Sequence, residues 1–232
     1  MKKILITLLA ATFFVSCKNE DYTISGEVKG YNSKEYVYLE IQKDNNPKTI
    51  DSLKIKDGKF EFKGKADSLD IAFIKIPSLQ CMMPFVLENG SIKITINKDS
   101  LANSKISGTE NNDDLQKFND DINVLNKKLY DFSKKNQQKY IEASSKNDLA
   151  TVEKLTTEAS KIQKEYTDFP KKYIKENTNF ISLIILENFA TRGQMPVSEA
   201  KSNFEKFPED LKNSKSGTRI NKVISPTAEK KK

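Results

Sequence analysis

Histidine is absent from all 232 residues, and so is tryptophan. Without an imidazole the chain has no side chain that ordinarily titrates near neutrality, no Ser-His-Asp relay and none of the commonest metal ligand. Cysteine occurs only at Cys17 and Cys81, so no Cys-x-x-Cys exists. Arginine is as scarce: of 39 basic residues only Arg192 and Arg219 are arginine. The lysines are interspersed with 32 acidic residues, the pattern of a solvated surface. Nucleic-acid readers use Arg forks and clustered basic faces, so the formal net charge of +7 does not point to a nucleic-acid partner. There is no Gly-rich phosphate cradle, and no apolar run approaches the roughly 20 residues of a membrane-spanning helix. With 31% charged residues and a mean hydropathy of −0.62, the mature part is expected to be soluble.

What is present begins at the N-terminus. Lys2 and Lys3 precede an apolar stretch from Ile4 to Val15, interrupted only by Thr7 and Thr12, and Ser16 stands before Cys17. The stretch is too short to span a bilayer, and its flanks are those of a signal peptide. A small residue immediately before cysteine resembles a lipobox, although Phe14 stands where Leu is usual; an ordinary signal peptide with a stray cysteine is the plainer alternative. The expected organisation is a lipoprotein signal peptide over 1–16, then lipidation of Cys17 with a tether over 17–21. The protein is then held in the cell envelope by its N-terminal lipid, the membrane itself being a partner. The outer membrane is the expected location, with periplasmic face or cell surface left open. Lys18, Asn19, Glu20 and Asp21 resemble the short acidic export signal of surface lipoproteins; Asn19 departs from it, and a merely polar tether fits equally. With Cys17 lipidated, Cys81 has no disulfide partner in the chain, so core packing must hold the fold.

From Tyr22 to Ser107 the hydrophobic period is two. Tyr22, Ile24, Gly26 and Val28 alternate with polar residues, as do Val37, Leu39 and Ile41 with Tyr36, Tyr38 and Glu40. Leu53 and Ile55, then Asp57-Gly58, then Phe60 and Phe62 predict a hairpin, since Asp-Gly tolerates the positive φ of a tight turn. Asn89-Gly90, between Phe85–Leu87 and Ile92, Ile94 and Ile96, reads the same way. The denser run Ile71–Ile76 predicts a central strand. Near Gly108 the period changes: Leu115, Phe118, Ile122, Leu125, Leu129 and Phe132 form a helical seam. A second seam carries Val152, Leu155, Ala159, Ile162, Tyr166 and Phe169, with Pro170 expected to kink or restart its helix. Two seams of this length predict a helical hairpin packed on itself. An apolar helix over Phe180–Phe189 follows, then one over Ser198–Phe207. The expected fold class is segregated α+β. An N-terminal antiparallel β-sandwich or open barrel over 22–107 precedes a C-terminal helical subdomain over 108–224 and a disordered tail over 225–232.

The segments YTISGEVKG, YVYLEIQ, TIDSLKIKDGKFEFKGKA and FVLENGSIKITI, followed by KYIKENTNFISLIILENF, carry a family resemblance. Together with the lipobox they resemble the N-terminal region of Bacteroidetes-type thioredoxin-like lipoproteins, related to the TlpA and AhpC/TSA groups. Over about Tyr22 to Ile224 the resemblance implies a β-sandwich domain of unknown function and a helical region, which in that family precede a thioredoxin fold. The chain ends about where that fold would begin and lacks its Cys-x-x-Cys. The resemblance therefore implies a stand-alone accessory region or a shortened relative, with the redox chemistry assigned to no residue here.

Candidate chemistry is sparse. Asp113-Asp114 and Asp120-Asp121 suit helix capping and surface charge better than a cation site, because adjacent helical residues point in different directions. No metal site or cofactor is expected. Cys81 sits in Leu79-Gln80-Cys81-Met82-Met83-Pro84-Phe85 with no adjacent cation to activate it, which predicts a buried, unreactive thiol. Its alternative is mixed-disulfide exchange with a thioredoxin-like partner, or a binding edge made by Met82, Met83 and Phe85, with Pro84 suited to an edge strand. Tyr22, Tyr31, Tyr36 and Tyr38 offer an aromatic platform only if they share a surface. The expected function is that of a non-enzymatic interaction or scaffold lipoprotein. Its alternatives are an accessory component of envelope thiol-redox chemistry, acting with a thioredoxin-like or other envelope protein, and a surface ligand- or glycan-binding lipoprotein.

Overall fold

The computed structural model describes residues 21–31, 33–43 and 46–225. The expected signal peptide over 1–16, Cys17 and the residues beyond Ser225 lie outside the described residues. Eight strands come first: β1 (Tyr22–Lys29), β2 (Tyr36–Lys43), β3 (Asn46–Lys54), β4 (Lys59–Gly64), β5 (Asp70–Ile76), β6 (Cys81–Leu87), β7 (Gly90–Asn97) and β8 (Lys105–Ser107). They make two four-stranded sheets, ordered β4-β1-β7-β8 and β3-β2-β5-β6. Period-two alternation turns Ile24, Val28, Phe62, Ile92, Ile94 and Ile96 of the first sheet, and Val37, Leu39, Ile74, Ile76 and Phe85 of the second, into one buried core. The arrangement is an open sandwich rather than a closed barrel, and β5 lies inside its sheet.

Two expected hairpins prove to be crossings between layers. At Asp57 (φ 52°) and Gly58 (φ 72°) the chain makes a two-residue turn, with Lys56 and Lys59 exchanging backbone bonds of 2.9 and 2.8 Å. A Cβ on Gly58 would lie 2.9 Å from the carbonyl oxygens of Val28 and Tyr31, so the position needs glycine twice over. Yet β3 and β4 belong to different sheets, and only the isolated bridge Lys56–Lys59 joins the two arms. Asn89-Gly90 likewise passes the chain from β6 to β7 across the sandwich. There the Asn89 amide bonds Ala66 instead, accepting from its N at 2.8 Å and donating to its O at 3.0 Å. The pairing is antiparallel, as expected, except between β1 and β7, which run parallel from Tyr22↔Gly90 to Lys29↔Asn97. Both strands start at the same end of the sandwich, where Gly90 N donates to Asp21 O at 3.1 Å. The excursion through the other sheet between them supplies the long crossover that parallel pairing requires.

Helices follow: α1 (Glu110–Ser145), α2 (Leu149–Glu176), α3 (Phe180–Thr191), α4 (Val197–Phe204), α5 (Glu209–Lys212) and α6 (Lys215–Ile224). At 1.5 Å per residue α1 is about 54 Å long, and with α2 it forms an antiparallel arm. Asp148 caps α2, its carboxylate accepting from Thr151 N at 3.1 Å. Pro170 lies inside α2, which continues to Glu176 without restarting. The rings of Phe118, Phe169 and Tyr173 gather at the base of the arm, with centroids 5.0–6.2 Å apart. Farther along α1 the seam residues Leu125, Leu129 and Phe132 are only half-buried. Asn179 and Ser214 cap α3 and α6 through Ser182 N and Gly217 N. Leu183, Leu186 and Ile220 bury themselves where α3 meets α6, and this helical core is continuous with that of the sandwich. The last expected helix ends at Phe204 rather than Phe207, although Phe207 is buried all the same.

Candidate functional site

β6 is an edge strand, and Pro84 sits in it without disrupting a ladder. Alternation along the strand decides what Cys81 and its neighbours present. Cys81 is 2% exposed and Phe85 is fully buried, while Met83 is half-buried and Met82 is 49% exposed. Phe85 is therefore withdrawn from the binding edge that adjacency suggested, whereas Cys81, Met82 and Met83 line one cleft. Burial pushes the Cys81 thiol above its ordinary value of 9.0. A narrow cleft of about 230 Å³ runs between β6, residues 101–106 and α1, with Cys81 in its wall.

The tyrosines do not assemble either. Tyr22 is buried in the first sheet and Tyr31 bonds Ser78 Oγ at 2.8 Å. Tyr36 and Tyr38 stay close, with centroids 6.3 Å apart, and Lys54 lies 5.4 Å from the Tyr36 ring. The acidic pairs serve local structure: Asp113 accepts from Gly108 N at 3.1 Å, and Asp114 from Asn179 Nδ2 at 2.7 Å. Asp120 accepts from Lys105 at 2.7 Å and from Gln116 at 2.8 Å, and the lysine bond holds its carboxyl below the usual range. Among the described residues no group of three or more acidic or cysteine side chains is placed to hold a metal ion. No described helix is long and apolar enough to cross a membrane.

An open, largely apolar surface lies toward the far end of the arm. A groove of about 780 Å³ runs between α1 and α2, lined by Tyr130, Phe132, Tyr140, Ile141, Leu155 and Lys134 among others. Tyr130 is 63% exposed and Ile141 52%, high values for large apolar side chains. Lys134 Nζ stands 5.9 Å from the Tyr130 ring centroid. Over residues 130–141 the charges are Lys134, Lys135 and Lys139 against Asp131 alone, and Asp131 is paired with Lys127 at 2.6 Å. Lys134 is the one charged side chain in the lining, above a largely apolar floor. The readable signal was that Tyr130, Tyr140 and Ile141 lie off the register of the α1 seam, a mismatch that the sequence reading passed over.

Residues 22–115 match the family model of a domain of unknown function, DUF4369. The match takes in all eight strands and the opening turns of α1. Neither the curated proteins nor the solved structures yielded a match.

Proposed function

We propose that this chain is a lipid-anchored, non-catalytic interaction module of the cell envelope, whose arm receives an amphipathic helix with an acidic flank from a partner protein. The observation that carries the reading is the groove between α1 and α2, with its exposed Tyr130, Tyr140 and Ile141 and with Lys134 in its wall. Two helices with an unfilled apolar seam are completed by a third, and Lys134 in the groove wall, with Lys135 and Lys139 on the same stretch of α1, favours an acidic flank. In this reading Cys17 carries the lipid, and the short tether over 17–21 keeps the sandwich within about 17 Å of the anchor. The resemblance to the accessory region of thioredoxin-like lipoproteins supports an envelope partner, a thioredoxin-like protein among the candidates. Burial of Cys81 speaks against direct thiol exchange.

A photo-crosslinking side chain placed at Gln137 in cells tests the proposal. The expected adduct is with a helical, acidic segment of one envelope protein. It should disappear when Lys134, Lys135 and Lys139 are changed to Glu, and return when the partner's acidic residues are changed to Lys. An adduct indifferent to both changes, or none from a folded chain, overturns the reading.

A further inference from the structure

The only two arginines of the chain, Arg192 and Arg219, lie 27 positions apart in sequence and line the same cleft. This cleft, of about 680 Å³, lies between the second sheet and helices α3 and α6, remote from the groove of the arm. Its volume falls in the range of small-molecule sites, which favour such junctions between structural units.

The two guanidinium groups are not equivalent. Arg219 forks onto Glu187, with Nε bonded to Oε1 and Nη2 bonded to Oε2 at 3.0 Å, and Nη2 also reaches Ser216 Oγ at 3.1 Å. Glu187 is only 15% exposed at its side chain, so this pair closes on itself. Asp70, the other carboxylate of the cleft, is paired with Lys215 at 3.3 Å. Arg192 at the end of α3 makes no side-chain hydrogen bond or ion pair among the described residues. One positive charge is left uncompensated, on a planar fork with five donors. The other 37 basic residues are lysine, so a planar donor array at Arg192 stands out from a surface that elsewhere uses a flexible ammonium.

The rest of the wall narrows the ligand. Gln42 and Asn188 hold amides with no side-chain partner among the described residues, and each offers both donors and an acceptor. Thr191 Oγ1 spends its proton on Glu187 O at 2.7 Å and keeps its acceptor capacity. Ile71 and Ile184 add a half-buried apolar patch. We infer that this cleft binds a small polyhydroxylated monocarboxylate, a sugar acid of the uronate class: the carboxylate pairs with Arg192, the hydroxyls meet Gln42, Asn188 and Thr191, and the apolar ring face lies on Ile71 and Ile184. A dianionic phosphate calls for more than one free cation. A zwitterion calls for a free carboxylate, and both carboxylates of the cleft are already paired.

The arginine count makes the test direct. The full chain labelled with ¹⁵N-arginine gives two Nε–H resonances, told apart by an Arg192→Lys variant. Titration with glucuronate is expected to move the Arg192 resonance saturably while that of Arg219 stays. Affinity should fall about tenfold in Arg192→Lys, which keeps the charge and loses the fork, and also in Asn188→Ala. Glucose, lacking the carboxylate, should produce no saturable shift. Absence of saturation with glucuronate overturns the inference. So does an equal response to acetate or phosphate, which would reduce the site to bare charge, or unchanged affinity in Arg192→Lys.

Discussion

Asn112 holds both backbone groups of Val86: Val86 N donates to its Oδ1 at 2.9 Å, and its Nδ2 donates to Val86 O at 2.8 Å. Val86 lies on the edge strand β6, so a helix side chain supplies the two bonds that a neighbouring strand would have made. The amide is fully buried, and its Nδ2 also reaches Thr109 Oγ1 at 2.8 Å. Four residues on, Gln116 accepts from Ile106 N at 2.7 Å on β8, the edge of the other sheet. The opening turns of α1 therefore fasten both sheets along one side of the sandwich. That the DUF4369 match runs to residue 115, and so includes Asn112, follows naturally if this fastening is part of the domain.

Replacing Asn112 by Ala strands the Val86 N–H and C=O in a buried setting, and an unsatisfied buried group costs about 1–3 kcal/mol. Asn112→Ala should lower stability by about 2 kcal/mol or more in urea unfolding, with the midpoint displaced and the slope kept. Gln116→Ala gives up a single, part-buried bond and should cost about half as much. Asn112→Asp keeps the acceptor, loses the donor and brings a charge, so it should not rescue. Equal losses for Asn112→Ala and Gln116→Ala would remove the special role of the Val86 clasp.

Gly26 and Phe60 face each other across β1 and β4, and a Cβ on Gly26 would fall 1.9 Å from Phe60 Cζ. Phe60 is 5% exposed, so its ring has no open space to move into. Gly26→Ala should destabilise by about 1–3 kcal/mol through overpacking. Combining it with Phe60→Leu should cost less than the sum of the two single changes, a coupling that a double-mutant cycle in denaturant reads directly. Strict additivity would count against the contact.

Lipid attachment at Cys17 is checked separately from the fold. The full-length chain should partition into the detergent phase of a Triton X-114 extraction and incorporate labelled palmitate in cells. Cys17→Ser should do neither, while its unfolding midpoint stays unchanged, because position 17 precedes β1 in the chain. Label retained in Cys17→Ser would move the anchor elsewhere.

Most strands were legible because they bury one face, and alternation such as Ile92-Ile94-Ile96 records that directly, whereas β3, exposed along almost its whole length, carries little such signal. Pairing was less legible. Asp57-Gly58 specifies a tight turn but not whether its arms stay in one sheet, and the β1–β7 parallel register depends on residues some 68 positions apart. The two long helices were readable from their seams, whereas α6 was missed: half its buried face is Ser216 and Gly217, which carry no hydrophobic signal. Gly217 packs where Lys212 O lies 2.2 Å from the position of a Cβ, a close approach visible only in three dimensions. The scarcity of arginine was plain in the sequence. That Arg192 and Arg219 share a cleft was not, since no local spacing links the end of α3 to the middle of α6.

Cys81 gives the fold a pH dependence of known sign. Burial raises its pKa in the folded chain above the ordinary 9.0, which the unfolded chain keeps. Below about pH 8 both states hold the proton and the thiol contributes nothing that varies with pH. As pH rises through 9.0 the unfolded chain releases the proton while the folded chain retains it, so stability falls, by at most about 1.4 kcal/mol per pH unit. Tyr22 and Tyr173, also raised by burial, add a loss of the same sign at higher pH. That loss is common to wild type and Cys81→Ala, so the difference between the two isolates the thiol. At pH 7 Cys81→Ala should be the less stable, by about 1 kcal/mol for the lost buried volume. Between pH 8 and pH 10 the gap should narrow, because only the wild type loses stability through the thiol. In parallel, the native thiol should react with a disulfide reagent only at the rate of unfolding. A gap that stays constant across that range, together with rapid labelling of the native chain, would place Cys81 in contact with solvent and reopen direct exchange with a partner's thiol.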